Sequence, residues 1–223
     1  MRRVQVGAMR IPSVVTVAAF LAAAGWAQPA AAQLGTRTAE EWIKTLDSPN
    51  RLQGLKISEV VAALKLKPGM LVADVGAGTG VFSLPLARAV RPGGTMYAVE
   101  VDEKLLEHVV EQGTEQGVTN IQPVFAEFDD PLLPPGIDLA FIHDVLHHIE
   151  KREVYLKNLA GYLKPGGRIA VIDFKPGVGG HRDDQKMQLS QEQVTAMMAT
   201  VGLKPAEEVK LFEDKWFVIF SKQ

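Results

Sequence analysis

The stretch Val72–Gly80, VADVGAGTG, decides how this 223-residue chain is read. Leading into it, Met70–Val75 (MLVADV) is a short apolar run bounded by glycines, the pattern of a buried strand. Beyond it, Phe82–Val90 carries Leu84, Leu86, Ala87 and Val90 at helical spacing. Gly76, Gly78 and Gly80 therefore occupy a strand-to-helix turn, where the lack of a Cβ lets the backbone bend sharply and approach a ligand. The spacing is G-x-G-x-G, not the G-x-G-x-x-G of dinucleotide-binding turns. Asp74 adds a carboxylate just before the turn, which suits a ligand bearing an ammonium better than a pyrophosphate. Glu100 ends the next apolar run (MYAVEV), where an acid accepts hydrogen bonds from a ribose diol. The bland alternative is a tight turn beside two solvated carboxylates.

Outward from the turn, strands and helices alternate. Thr95–Val101 reads as a strand, Leu105–Gln116 as a helix, and Ile121–Phe125 and Ile137–Ile142 as strands. Arg152–Leu163 reads as a helix stopped by Lys164-Pro165-Gly166-Gly167, followed by a strand over Arg168–Phe174. Gln191–Val201 is a further helix, and Glu207–Phe212 with Trp216–Ser221 reads as a closing hairpin. Upstream, residues 38–66 carry a helical pattern that Asp47-Ser48-Pro49-Asn50 divides into two helices. The expected fold is α/β, a doubly wound, mostly parallel seven-stranded sheet with an antiparallel C-terminal hairpin strand, preceded by N-terminal helices.

Composition narrows the chemistry. At 47% hydrophobic and 22% charged the chain is globular in type. It contains no cysteine, which removes disulfides, thiolate nucleophiles and Cys-ligated metal. A formal charge of -2 argues against a nucleic-acid partner. Residues 1–32 differ from the rest: Arg2, Arg3 and Arg10 precede an apolar run from Ile11 to Ala27, and Ala30-Ala31-Ala32 follows. That order describes a secretory signal peptide cleaved after Ala32, hence an exported, periplasmic domain over 33–223 with no stable membrane insertion. Left uncleaved, the same run would act as a membrane anchor.

VADVGAGTG, YAVEVD, VFAEFDD, IDLAFIHDVLHHI and LKPGGRIAVIDF together resemble the motifs of class I methyltransferases that use S-adenosylmethionine (SAM), over residues 38–223. The resemblance implies that Asp74, Gly76, Ala77, Gly78 and Gly80 hold the methionine portion of SAM and Glu100 the ribose hydroxyls. It implies that Val101 lies against the adenine and that Glu127 and Phe128 bind the adenine edge. Glu127 stands where the family often has Asp, so Asp129 and Asp130 are alternatives. His143 and Asp144 would line the methyl-donor pocket.

Methyl transfer from a sulfonium is an in-line displacement, and it needs positioning and exclusion of water more than a fixed catalytic group. A general base is required only where the acceptor holds its proton. The candidates are His143, Asp144, His147, His148 and His181. His143 and His147 would share a helical face if a helix begins that early, as a proton relay or a metal site; packing is the alternative, and no metal is assigned. The loop Pro176–Asp184, with His181, would arch over the open end of the sheet and shape the substrate pocket, or be a solvated surface loop. Trp42 would cap that pocket or belong to the core. The leading expectation is a methyltransferase acting on a small molecule. An NAD(P)-dependent oxidoreductase and a non-catalytic SAM-binding protein are the rivals.

Overall fold

In the computed structural model, which describes residues 37–179 and 182–222, the glycine turn lies at the middle of one sheet. The expected leader and His181 lie outside the described residues. Strands β1 (Leu71–Val75), β2 (Thr95–Glu100), β3 (Ile121–Phe125), β4 (Ile137–His143), β5 (Leu163–Phe174), β6 (Leu203–Glu208) and β7 (Lys215–Lys222) are arranged in the order β3-β2-β1-β4-β5-β7-β6. The first five pair in parallel, and β7 is antiparallel to both β5 and β6. The chain steps outward from β1 to β3, then restarts at β4 on the other side of β1. The order of strands therefore reverses between β1 and β4, and the open crevice of such a sheet lies beyond the carboxyl ends at that point.

Helices α1 (Ala39–Leu46), α2 (Pro49–Gly54), α3 (Ile57–Ala63), α4 (Ser83–Ala89), α5 (Glu103–Glu115), α6 (Arg152–Tyr162) and α7 (Gln191–Thr200) complete the architecture. Val60 and Leu64 at the end of α3, Leu86 of α4 and Val109 of α5 pack on one face of the sheet against Val72, Met96, Phe141 and Phe217. Leu156 and Leu159 of α6 and Val194 and Met198 of α7 pack on the other against Ala73, Ile142, Val171 and Val218. Burial on both faces explains why β1 and β4 read as continuous apolar runs rather than alternating ones. The edge strand β3 is exposed at Gln122, Pro123 and Phe125, and an edge tolerates the proline. Helix α1 is fixed at its start by a reciprocal Thr38–Glu41 capping box, and α7 by Ser190–Gln193.

Several boundaries differ from expectation. The N-terminal helical region is three helices, because Lys56 adopts a left-handed φ of 48° and interrupts the second. Strand β5 starts at Leu163, with the Lys-Pro-Gly-Gly sequence forming an irregularity between the pairs Ile137↔Leu163 and Leu139↔Arg168. Strand β6 is Leu203–Glu208 rather than Glu207–Phe212, since buried Leu203 pairs with Lys222 and so sets the register. Residues 209–214 connect the hairpin, and Phe212 packs beside the Lys56 and Lys215 ammoniums. The histidine-rich segment is not a helix. His143 ends β4, Asp144 takes a φ of 55°, and only a 3-10 turn, Leu146–His148, precedes α6. The Asp144 N–H donates to Ile172 O, which keeps that residue on the sheet. No helix among the described residues is long and apolar enough to cross a membrane.

Candidate active site

The carboxyl ends of β1, β2 and β4 open into one cavity of about 210 Å³. Its floor is the glycine turn. Gly76 and Ala77 donate their N–H groups to Val99 O, which folds the turn back against β2. Gly76 has a φ of 70°, and a Cβ there would stand 2.4 Å from Val145 Cγ2, so only glycine fits. Gly78 lines the cavity, and a Cβ there would meet Leu46 Cδ1 at 3.0 Å. Gly80 does not line it: a Cβ there would meet the Val109 methyl groups at 3.0 and 3.1 Å, and the residue serves the packing of α5.

Two buried carboxylates flank the turn. Asp74 accepts a hydrogen bond from Ser83 Oγ at 2.6 Å, and burial pushes its pKa up to about 7 despite that bond, with Glu100 adding to the rise. Glu100 accepts from the Gly78 N–H at 2.9 Å and the Val101 N–H at 2.8 Å. Burial raises its pKa as well, against those backbone donors. Two of the roughly four lone-pair sites on the Glu100 carboxylate are used by these two bonds, leaving capacity for a ligand. Val101, Phe128 and the exposed Glu127 line the same wall. The alternatives to Glu127 are engaged elsewhere: Asp129 pairs with Lys151 at 2.9 Å, and Asp130 accepts from the Tyr162 hydroxyl at 2.8 Å.

The opposite wall is built from residues distant in sequence. His143 and Asp144 line the cavity, and behind them the buried Lys215 ammonium lies 2.5 Å from Asp144 Oδ2 and 3.4 Å from His143 Nε2. Phe174 lies beneath that ammonium, its ring centroid 4.3 Å away. An ammonium only donates, so Nε2 presents its lone pair to Lys215 and the ring proton sits on Nδ1, 3.6 Å from Asp144 Oδ2. Burial pushes the His143 imidazole down to about 3, with Lys215 and Arg51 contributing and Asp144 opposing. His143 is thus neutral with its lone pair engaged, which disfavours it as a general base. Burial alone would raise the Asp144 carboxyl, but the adjacent His143 ring and the Lys215 ammonium hold it below the usual carboxylate range, with Arg51 adding to the effect. Asp144 Oδ1 is buried without a hydrogen-bond partner.

His147 does not share a face with His143. It points away, its Nδ1 2.7 Å from Asp173 Oδ1, and both residues are buried. His148 lines the cavity with its ring 4.2 Å from that of His147. The described part of the Pro176–Asp184 loop does not reach the cavity, because the Gly177 N–H and Arg182 O are tied to the Gln188 side chain. Among the described residues no group of three or more His, Asp or Glu is placed to hold a metal ion. Sequence reasoning missed Arg51, Thr79, Tyr155 and Lys215. Trp42 belongs to the cavity wall, with Leu46 of the same helix. Helix α1 is held over the turn by Thr79 Oγ1 donating to Asp47 Oδ1 at 2.6 Å.

The sequence profile of a family described as a methyltransferase domain matches residues 66–215, a span that includes the glycine turn, Glu100, His143, Asp144 and Lys215. The chain belongs to that family. This methyltransferase-family chain is 30% identical over 115 residues to the ubiquinone/menaquinone biosynthesis C-methyltransferase of Ectopseudomonas mendocina, a match covering 50% of this chain and 45% of that one. The chain spans about half the length of the curated relatives it matches. A crystal structure of a SAM-dependent methyltransferase from Aquifex aeolicus superposes with a TM-score of 0.75 at 25% identity, over 84% of this chain and 100% of that one. The magnesium protoporphyrin IX methyltransferase of Synechocystis with bound SAH shares the fold at 21% identity, with a TM-score of 0.61 over 77% and 84% of the two chains.

Proposed function

We propose that this member of the methyltransferase family uses S-adenosylmethionine as donor and methylates a small molecule. The observation that carries the reading is the pair of buried carboxylates, Asp74 and Glu100, on either side of a glycine turn at the switch in strand order. Acids there favour a cationic ligand with a diol and disfavour a pyrophosphate. SAM supplies an activated methyl group on a positive sulfur. Gly76, Ala77 and Gly78 would hold the methionine portion and Glu100 the ribose, with Val101, Glu127 and Phe128 around the adenine. Gly80 would shape the turn from behind, and His143 would wall the cavity on the acceptor side. Helix α1 covers part of the cavity with Trp42 and Leu46, apolar surface of the kind that would shield such a displacement from water. A small acceptor is supported by that cover and by a formal charge of -2.

Calorimetric titration of the full chain with SAM and with NAD(H) tests the donor. Binding of SAM alone is expected, and binding of NAD(H) alone would replace this reading with an oxidoreductase. Radiolabelled methyl transfer to a small-molecule extract separates an enzyme from a binding protein. The compartment is proposed to be the periplasm, on residues 1–32 alone; N-terminal sequencing of protein from a periplasmic extract is expected to begin at Gln33.

A further inference from the structure

Helix α6 turns one stripe of polar side chains toward residues 126–130, the segment that follows β3. Tyr155, Asn158 and Tyr162 stand on it at i, i+3 and i+7. Asn158 Nδ2 donates to Asp129 O at 2.8 Å, and the Tyr162 hydroxyl donates to Asp130 Oδ1 at 2.8 Å. Tyr155, the first of the three, is 4% exposed and lines the cavity with Ala126, Glu127 and Phe128 of the same segment. Its hydroxyl makes no hydrogen bond among the described residues. Three buried side-chain atoms of those residues are closed in without a partner, Trp42 Nε1, Asp144 Oδ1 and Asp173 Oδ2, and the Tyr155 hydroxyl is not one of them. It therefore opens on the cavity. Burial pushes the phenol up, with Glu100 and Asp130 adding to the rise, so the group keeps its proton at neutral pH. A phenylalanine would pack the same ring with no polar atom to desolvate, as Phe141 does in the core. A buried tyrosine hydroxyl calls for a partner, and the side on which this one can find it is the cavity.

We propose that Tyr155 is a further SAM-binding residue, its hydroxyl donating a hydrogen bond to a ring nitrogen of the adenine. The purine is the part of SAM set against this segment, beside Glu127 and Phe128, and its ring nitrogens offer lone pairs in the plane of the base. The ribose diol is the poorer match, because its protons go to Glu100. Tyr155 lies on the first turn of α6, outside VFAEFDD, IDLAFIHDVLHHI and LKPGGRIAVIDF, so no stretch that carries the family resemblance contains it. The assignment rests on the SAM-dependent reading above.

The test uses the full chain with SAH and its 1-, 3- and 7-deaza analogues, in each of which one ring nitrogen is replaced by C–H. Wild type and Tyr155→Phe are titrated with all four by calorimetry. One analogue is expected to bind wild type about three- to tenfold more weakly than SAH, the effect of one neutral hydrogen bond. Tyr155→Phe should weaken SAH and the other two analogues by about that factor and leave this one unchanged, because its contact is already missing. The unliganded variant should melt no lower than wild type, since the hydroxyl has no partner within the described residues. The proposal is overturned if Tyr155→Phe weakens none of the four ligands or all of them equally. It is also overturned if the variant melts lower or fails to fold, which would show the hydroxyl engaged inside the protein. Wild type that binds no SAH would sink the SAM-dependent reading and this contact with it, whereas wild type that binds SAH without the coupling sinks the contact alone.

Discussion

The glycine-turn wall and the wall beyond β4 solve different problems with different means. At the turn, two acids are kept in the interior by local hydrogen bonds: N–H groups of Gly78 and Val101 on Glu100, and the Ser83 hydroxyl on Asp74. Everything needed lies within a few residues of a strand end. At the opposite wall, charge is balanced by side chains brought from afar: Lys215 reaches Asp144 across 71 residues of sequence. The first wall is set by backbone shape and the second by side-chain charge. A substitution should therefore fail by collision at one and by an unpaired charge at the other.

The largest expected effect is at the second wall. Lys215→Met leaves the Asp144 carboxylate buried without its ammonium and should cost about 3–5 kcal/mol in urea unfolding, the usual cost of removing one partner of a buried pair. Adding Asp144→Asn should recover much of the loss, because asparagine tolerates the left-handed φ and carries no charge. If the double variant is no more stable than the single, the wall is not held by charge balance. Next comes the turn. Gly76→Ala combines a left-handed φ with a Cβ inside the Val145 side chain and should cost about 2–4 kcal/mol. Gly117→Ala, with a φ of 66° and nothing within 4 Å, should cost only about 1 kcal/mol. Equal losses at the two glycines would show that backbone strain, not the close approach, shapes the turn. Below Gly76→Ala in size, Glu100→Ala should weaken SAM binding by roughly 1–3 kcal/mol in calorimetry without a matching loss of stability.

The same contrast explains what could be read in the chain beforehand. The sheet, its direction and the glycine turn follow from apolar runs and turn residues contiguous in sequence, and nearly every residue placed at the turn from VADVGAGTG and MYAVEV lines the cavity. Gly80 is the exception, since spacing alone does not tell a glycine that faces a ligand from one that faces a helix. The histidine segment misled because four-residue spacing implies a helix, whereas Asp144 departs to a positive φ, with His143 at the cavity and His147 on Asp173. An aspartate is one of the few residues that adopts that conformation readily, but nothing local requires it. Lys215 left a faint trace as a lysine opening the apolar run Trp216–Phe220. Arg51 left none, because only the packing of α2 over the turn brings it to the cavity wall.

The pH dependence of Asp74 is the sharpest test of the turn. The Asp74 carboxyl has an ordinary pKa of 3.8 and is raised by burial to about 7 in the folded chain. Below the lower value the group is protonated in both folded and unfolded states and its titration contributes nothing. As pH rises between the two values, the unfolded chain loses its proton and the folded one keeps it, so stability falls through that window and levels off above it. Asp74→Asn removes this fall while keeping an oxygen for the Ser83 hydroxyl, so the variant should gain on wild type steadily from pH 4 to pH 7. A cation bound beside Asp74 favours its ionised form, so SAM binding should release a proton and tighten by about tenfold between pH 6 and pH 8. Calorimetry in two buffers of different ionisation enthalpy reads that release, and Asp74→Asn should abolish both the release and the pH dependence attributable to it. Identical pH profiles in wild type and Asp74→Asn would mean that the ligand's positive charge lies elsewhere, and with it the orientation of the donor across the cavity.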